Sequence, residues 1–224
     1  MGKVDLFLGG PLGLWVLDNV DPQTVRCVFS EDDAIANKAR GIGITGISGP
    51  APVGLSVHYP HILEHSSISR YEHIYNIHPG LLPWGRCYYP VFWALWADEP
   101  AGCTLHEIDA GIDTGPIVAQ CVVPKYDWDT GGSLHQRVSE SEKGLFLEYW
   151  PRIMAGDMPE AVPQVGKGSF HLKQEFFDLR LYGAQGLTAP EMLKLIRCLS
   201  HPDYTGLIVH AGHKEYEVSA RLVQ

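Results

Sequence analysis

The sequence lacks the features that mark secreted and membrane proteins. Its five cysteines are odd in number and scattered, and none forms a C-x-x-C pair, which is typical of reduced thiols in a cytoplasmic protein. No stretch approaches 18 consecutive apolar residues, so we expect no membrane span. The N-terminus has no basic segment followed by an apolar run, so we also expect no signal peptide.

Positive charge is scarce as well. The chain has 17 Lys and Arg against 26 Asp and Glu, a formal net charge of −9. A nucleic-acid surface needs clustered cations, so this balance argues against nucleic acid as a partner. A small anionic ligand stays compatible with it, because a few local cations and backbone amides can hold one.

What the sequence does contain is a pattern of alternating strands and helices. Its 224 residues, 45% of them apolar, suit one α/β domain with a small appendix. We predict a Rossmann-like, mainly parallel sheet with helices on both faces, followed by a small C-terminal helix and β-hairpin region. The strongest helical signal covers 130–154, with a capping-box pattern at Ser133 and Gln136. The domain boundary is predicted after residue 156, which gives parts 1–156 and 157–224.

Chemistry is concentrated in two loops rich in glycine and proline. One contains Asn76 and His78 before Pro79-Gly80, and the other contains Asp113 before Thr114-Gly115. If an amine attacked a carbonyl carbon here, Asn76 could donate a hydrogen bond to the oxygen as it becomes negative. His78 could accept the proton that the amine must lose, and Asp113 could orient the imidazole or hold a water. The residues alone leave the reaction open.

Three motifs in order resemble the N10-formyltetrahydrofolate-dependent formyltransferase family. They are Asn76-Ile77-His78 with Leu82-Pro83, then Gly102-Cys103-Thr104-Leu105-His106, then Ile112-Asp113-Thr114-Gly115. The resemblance implies that residues 1–156 are the catalytic domain, with Asn76, His78 and Asp113 as catalytic residues and His106 in support. It implies N10-formyltetrahydrofolate as the co-substrate. The residues that would bind the folate are Tyr59, His61, Ile62, Leu63, Ile108, Asp109 and Gly111.

Within that family, the tail resembles the nucleotide-sugar N-formyltransferases, which formylate the amine of a dideoxyamino sugar linked to dTDP, GDP or UDP. The acceptor-binding residues implied are Gly80, Trp84, Arg86, Tyr88, Tyr89 and Lys173. The resemblance also implies a cytoplasmic homodimer formed through the C-terminal hairpin, with a role in lipopolysaccharide O-antigen biosynthesis. Gly80, where many members have Ser, and Cys87, where many have Gly, depart from the commoner pattern of the acceptor loop.

Other readings remain at this point. A methionyl-tRNA formyltransferase would need a longer, basic C-terminal domain. A glycinamide ribonucleotide formyltransferase would need a phosphate-binding loop at 9–13, and a formyltetrahydrofolate hydrolase shares the same triad. A non-enzymatic folate or nucleotide sensor would not need all three catalytic groups. His58, His61 and His65 could suggest zinc, but no further ligand stands at a familiar spacing, so we expect no metal.

Overall fold

The structure is a computed structural model that describes residues 3–44, 53–183, 185–202, 204 and 206–223. The chain divides into two compact units. The first consists of 1–78, 103–121 and 141–165, and the second of 79–102, 122–140 and 166–224. The predicted domain division at residue 156 stays a prediction.

The regular elements follow the alternation that the sequence indicates. The strands are β1 (Val4–Leu8), β2 (Val25–Phe29), β3 (Val53–Val57), β4 (His73–His78), β5 (Arg86–Cys87), β6 (Gly102–Glu107), β7 (Ile117–Val122), β8 (Phe170–His171), β9 (Leu207–Ala211) and β10 (Lys214–Val218). The helices are α1 (Gly10–Asp18), α2 (Asp33–Gly41), α3 (His65–Ile68), α4 (Pro90–Trp96), α5 (Gly131–Ala155), α6 (Lys173–Tyr182) and α7 (Ala189–Leu199).

The main sheet has the strand order β2-β1-β3-β4-β6-β7. The strands β2, β1, β3 and β4 are parallel, whereas β6 pairs with β4 in the antiparallel sense. Two small sheets accompany it, the parallel pair β5-β8 and the antiparallel hairpin β9-β10. The predicted α/β fold, with a mostly parallel sheet and a C-terminal helix and hairpin region, is confirmed.

The core of the first unit is built on the central strands. Every residue of β1 is buried, as are Gly54–Val57 of β3, which is expected for parallel strands covered on both faces. Asp5 lies within this core at 0% exposure and forms an ion pair with Arg26. Arg26 donates a hydrogen bond to each oxygen of this carboxylate, and the Tyr71 hydroxyl donates a third at 2.8 Å. Burial of the charge is therefore offset by pairing on both of its oxygens.

The second unit has an apolar cluster of its own. Its buried members come from α4, α6, α7 and β9: Phe92, Trp93, Phe176, Leu195, Cys198, Leu199 and Leu207. Phe176 is fully buried and meets Phe92 edge to face, with ring centroids 5.0 Å apart. Truncating a buried phenylalanine to alanine typically costs 3–5 kcal/mol, so this cluster is a main source of stability for the C-terminal elements.

Two local predictions are corrected. Helix α5 is capped one turn earlier than the Ser133–Gln136 pattern indicates. The Ser133 hydroxyl accepts a hydrogen bond from the Thr130 N–H at 3.0 Å, and the Thr130 hydroxyl accepts one from the Ser133 N–H at 3.1 Å. The sequence predicts hairpin strands at 206–210 and 216–221, but the second strand begins at Lys214, because a two-residue turn at Gly212-His213, with Gly212 at φ 62°, already reverses the chain. An expected strand at Ile42–Ile47 lies largely outside the described residues.

None of the helices in the described ranges is long and apolar enough to cross a membrane.

Candidate active site

Asn76 and His78 are positioned by strand β4 and its antiparallel neighbour β6. The register sets Asn76 opposite His106 and His78 opposite Thr104. Because side chains alternate along a strand, all four lie on the same face of the sheet. Directly opposed side chains are close enough to interact, and the Asn76 Nδ2 group donates a hydrogen bond to His106 Nε2 at 3.2 Å.

His106 is a neutral imidazole in a defined tautomer. Its Nδ1–H donates to the backbone carbonyl of Glu107 at 2.8 Å, which leaves Nε2 as the acceptor for Asn76. The residue is 1% exposed, and this burial is the largest cause that lowers the pKa of His106 to about 4, against the attraction of Asp113. A neutral His106 therefore fixes the orientation of the Asn76 amide, whose nitrogen carries a second hydrogen.

Asp113 lies close to both histidines. Its Oδ2 is 3.8 Å from His78 Nδ1, and its Oδ1 is 3.6 Å from His106 Nε2. Both distances are longer than a direct hydrogen bond but within the range of electrostatic interaction. The His78 side chain is 5% exposed and that of Asp113 is 15% exposed, so the charge acts in a site largely shielded from water.

The loop between β6 and β7 gives Asp113 its position. Gly115 must be glycine, because a Cβ there would lie 1.8 Å from the carbonyl oxygen of Glu107. The Asp109 carboxylate accepts bonds from the Gly111 N–H at 3.0 Å and the Thr114 hydroxyl at 2.7 Å. One carboxylate oxygen of Asp109, a residue predicted to bind the folate, therefore accepts hydrogen bonds from within its own loop.

A segment after α5 also contacts this loop. The Gln164 side-chain amide donates to the Asp113 carbonyl and to the Gly115 carbonyl, both at 2.9 Å. Sequence reasoning missed Gln164, since nothing near it in the chain signals a partner about fifty residues earlier. In the structure, the pairing of Ile117 with Val162 brings the two segments together.

The residues predicted for the folate follow β3, at the same sheet edge as His78. Tyr59 packs edge to face on Phe7, with centroids 5.5 Å apart, and also contacts His61. His61 Nε2 lies 2.8 Å from Glu31 Oε1. Ile62 is 64% exposed, so it offers the apolar surface that a pterin or benzoyl ring could contact. Tyr59, His61 and Ile62 therefore lie close together, but Tyr59 and His61 already contact other protein side chains.

A second histidine–carboxylate pair at this edge also escaped sequence reasoning. His58, which directly follows β3, places Nε2 2.8 Å from Oε1 of Glu142, a residue at 0% exposure on α5. Because His58 pairs with Glu142 and His61 with Glu31, these histidines do not converge on one point. Within the described ranges, no group of three or more His, Cys, Asp or Glu side chains could hold a metal ion.

The residues predicted for the acceptor belong to the second unit. Gly80 and Trp84 line a small cleft together with Pro79, Pro90 and Ala101. Trp84 is 40% exposed and is thus available to a ligand.

Arg86, Tyr88 and Lys173 are gathered by the β5-β8 pairing. The backbone N–H of Arg86 donates to Ser169 and that of Tyr88 to His171, at 3.2 Å each, which brings the start of α6 alongside. The Lys173 ammonium lies 5.8 Å from the centre of the Tyr88 ring. These three side chains can supply two cations and an aromatic face at one place.

Tyr89 has a different environment. It adopts a left-handed backbone conformation at φ 59°, and its ring stacks on Phe176 with centroids 3.9 Å apart. The ring also meets Phe177 and Tyr204 edge to face. The structure therefore uses Tyr89 chiefly for packing against the apolar cluster.

Comparison with known proteins identifies the part of the chain that contains the site. Residues 50–149 match the family model described as formyl transferase. A dTDP-4-amino-4,6-dideoxyglucose formyltransferase from Mycobacterium tuberculosis is 33% identical over 130 residues, which are 58% of this chain and 55% of that protein. The match thus spans about half the length of this relative.

Solved structures extend the likeness to the whole fold. A sugar N-formyltransferase from Shewanella sp. superposes with a TM-score of 0.81 at 22% identity, covering 100% of both chains. A formyltransferase from Anoxybacillus kamchatkensis, in complex with UDP-4,6-dideoxy-4-formamido-L-AltNAc and tetrahydrofolate, has a TM-score of 0.64 at 27% identity and covers 83% of this chain and 93% of that one.

Proposed function

We propose that this chain, whose residues 50–149 match the formyl transferase family model, transfers a formyl group from N10-formyltetrahydrofolate to the amine of a nucleotide-linked dideoxyamino sugar. The observation that carries the proposal is the Asn76 amide held on a neutral His106, with His78 and Asp113 on the same sheet edge. The names of the mycobacterial relative and of the Anoxybacillus complex support a nucleotide sugar as the acceptor.

Asn76 supplies the electrophilic assistance. When an amine adds to a formyl carbon, the carbonyl oxygen becomes negative, and a fixed N–H donor lowers the barrier. The bond from Nδ2 to His106 Nε2 uses one amide hydrogen and orients the other. Because the orientation is set before the substrates bind, little reorganisation is required when the charge develops.

His78 and Asp113 handle the proton. The carbon–nitrogen bond to the acceptor forms, the amine loses a proton, and the bond from the formyl carbon to N10 breaks as N10 gains one. With Nδ1 of His78 directed at Asp113, we assign Nε2 to this exchange. The Asp113 carboxylate stabilises the imidazolium that forms in between. Since the amine loses one proton and N10 gains one, the reaction releases no net proton.

The two substrates are assigned to the residues predicted for them. Folate takes the surface at Tyr59–Leu63 and the loop at 108–113. The acceptor takes Gly80, Trp84, Arg86, Tyr88 and Lys173, where two cations can meet the diphosphate and aromatic faces can meet the base. Tyr89 is left as a packing residue.

The decisive experiment is a panel assay with the purified chain and N10-formyltetrahydrofolate. Acceptors would be dTDP-, UDP- and GDP-linked 3-amino and 4-amino dideoxysugars, with glycinamide ribonucleotide and an acceptor-free sample alongside. We expect mass spectrometry to find an N-formylated nucleotide sugar. Formylation of glycinamide ribonucleotide alone, or release of formate without any acceptor, would replace the sugar proposal with one of those activities.

We further propose that two copies associate through the β9-β10 hairpin. A two-stranded sheet has unpaired backbone edges, and β10 is exposed along Lys214–Glu217, with Tyr216 at 55% exposure. At the other end of the hairpin, Leu207 is fully buried in the apolar cluster, so the hairpin is anchored while its outer strand remains accessible.

Light scattering on Tyr216→Glu tests the dimer. The substitution places a charge on the exposed strand without removing Leu207 from the core, so the fold should persist while the mass falls towards that of a monomer. Glu217→Gln, on the opposite side of the same strand, should stay dimeric. A dimeric Tyr216→Glu protein, or a monomeric wild type, would refute this interface.

The cellular setting is proposed from the family resemblance, which implies lipopolysaccharide O-antigen biosynthesis. A formylated nucleotide sugar is an activated donor, so we propose that a cytoplasmic enzyme makes it for lipopolysaccharide O-antigen assembly. Deleting the gene should remove the N-formyl sugar from the extracted polysaccharide; an unchanged polysaccharide would argue against this setting.

A further inference from the structure

The loop that carries Asp113 has an unusual backbone. Asp113 itself lies at φ 52°, in the left-handed region that residues with a side chain rarely adopt. Such a conformation persists only where the surrounding structure determines it. The contacts that hold this loop therefore decide where the carboxylate points.

Hydrogen bonds close the loop at both of its ends. At the start, Asp109 accepts from Gly111 and Thr114, and at the end the Glu107 N–H donates to the Pro116 carbonyl at 2.9 Å. The peptide groups on either side of Thr114 lie between these closures, and their carbonyls accept a further contact.

Gln164 provides that contact. Its amide nitrogen donates to the carbonyls of Asp113 and Gly115, each at 2.9 Å, and these two carbonyls flank Thr114. A planar amide with two hydrogens in fixed directions can hold two acceptors in only one relative arrangement. The pair of bonds thus specifies the backbone at the point where the Asp113 side chain leaves it.

The segment that bears Gln164 is itself anchored. Ile117 and Val162 exchange two backbone hydrogen bonds, both 2.8 Å long, so the segment meets the end of the loop in a fixed register. Val162, Pro163 and Val165 are exposed, whereas Gln164 is partly buried against the loop. Of this short stretch, Gln164 is the residue turned towards Asp113.

We infer that Gln164 is a positioning residue that sets the Asp113 carboxylate at 3.8 Å from His78 and 3.6 Å from His106. Both of its bonds reach the backbone of the loop, through the carbonyls of Asp113 and Gly115, so its effect on the carboxylate is one of positioning. The inference rests on the proposed function for its effect on rate, but its structural part can be measured without any substrate.

Gln164→Glu is the sharpest variant, because it keeps the shape and replaces the donor by oxygens that repel the two carbonyls. With N10-formyltetrahydrofolate and dTDP-4-amino-4,6-dideoxyglucose as probes, we expect kcat to fall about 10²-fold, the scale of a misplacement near 1 Å, with both KM values within about twofold. Gln164→Lys keeps one long donor and should recover part of the rate. Gln23→Glu, the same change on an exposed turn, should leave kcat unchanged.

Two substrate-free measurements accompany the kinetics. In Gln164→Glu, hydrogen exchange of the backbone amides at 113–115 should accelerate at least tenfold, and the imidazole NMR signals of His78 and His106 should shift. If the exchange rates and the histidine signals match those of the wild type, or if kcat is unchanged in a folded variant, the inference is wrong. A wild type that forms no product with any acceptor of the panel refutes the proposed function instead, while exchange and NMR still decide the role of Gln164.

Should Gln164→Glu fail to fold, Gln164→Leu decides the matter in its place. It removes both donors without adding a charge, so faster exchange at 113–115 is expected in this variant also. Wild-type exchange in Gln164→Leu would overturn the inference.

Discussion

The loop that carries Asp113 and the segment that carries Trp84 to Tyr89 differ in how their side chains are held. In the loop, backbone carbonyls, glycines and one glutamine amide determine each position, and Asp113 is 15% exposed. In the other segment, the β5-β8 pairing fixes the backbone, whereas Trp84 is 40% exposed and Lys173 lies on the surface above Tyr88.

This difference matches two chemical tasks. Proton transfer and charge stabilisation need groups fixed to within a fraction of an ångström, which agrees with the several hydrogen bonds that hold the Asp113 loop. Recognition of a large, flexible nucleotide sugar can use exposed aromatic and cationic side chains that adjust on binding. We therefore expect substitutions in the first region to lower kcat and those in the second to raise KM.

The largest effect is expected from the proton-handling pair. His78→Gln removes the base, and Asp113→Asn removes the charge that supports it, so either should lower kcat by about 10³-fold with little change in KM. Formyl transfer measured under saturating substrates tests this, with circular dichroism confirming the fold. A variant that retained more than a tenth of the wild-type kcat would show that the chemistry depends on other residues.

A pair of glycine substitutions tests the loop backbone separately from its side chains. Gly115→Ala forces a Cβ against the Glu107 carbonyl and should displace Asp113, lowering kcat about 10²-fold. Gly144→Ala, on the exposed side of α5 where a Cβ meets nothing within 4 Å, should raise stability by about 0.5–1 kcal/mol and leave kcat alone. Equal activities for the two variants would mean that the loop tolerates distortion.

The neutral state of His106 predicts a dependence of stability on pH. Burial lowers its pKa from 6.5 to about 4. Between these pH values His106 is therefore protonated in the unfolded chain but neutral in the folded one. This contribution to the free energy of unfolding is constant above pH 6.5 and declines as the pH falls towards 4, by up to about 3 kcal/mol.

Urea unfolding at pH 7.5 and pH 5 measures this decline. His106→Gln has no group that titrates there, so its loss of stability between the two pH values should be smaller than that of the wild type. If the free energy of unfolding falls by the same amount in the two proteins, the pH sensitivity originates in other groups. The folded state would then not hold His106 in its neutral form.

Sequence reasoning reached the main features of the fold because periodicity and loop composition are local signals. The sequence predicts the strands that place Asn76, His78 and His106 at 73–77 and 103–108, and the structure has them at His73–His78 and Gly102–Glu107. Their antiparallel pairing was not predicted. The span 130–154 predicted for α5 is within one residue of the observed helix, but its capping pair was not predicted, because Ser133, Thr130 and Asp129 are all good capping residues.

The contacts that support the site could not be predicted in the same way. Gln164 reaches the Asp113 loop, and Glu142 reaches His58, across long separations in the chain. Neither glutamine nor glutamate has a motif that announces such a partner. Tyr89 was assigned to the acceptor from its type and position, yet its ring stacks on Phe176, because an aromatic residue serves packing and recognition equally well.

The smallest effect, and the one that most sharpens the contrast between the two regions, is expected at Lys173. Its ammonium is exposed and lies over Tyr88, so it can meet a phosphate but is not required for the chemical step. Lys173→Ala should raise the KM for the nucleotide sugar about tenfold, the value of one charge-assisted contact, with kcat within about twofold. Lys3→Ala, an exposed cation before β1, serves as the control and should change neither constant. A fall in kcat at constant KM would instead place Lys173 among the groups that act in the transition state, and the division of labour between the two regions would no longer hold.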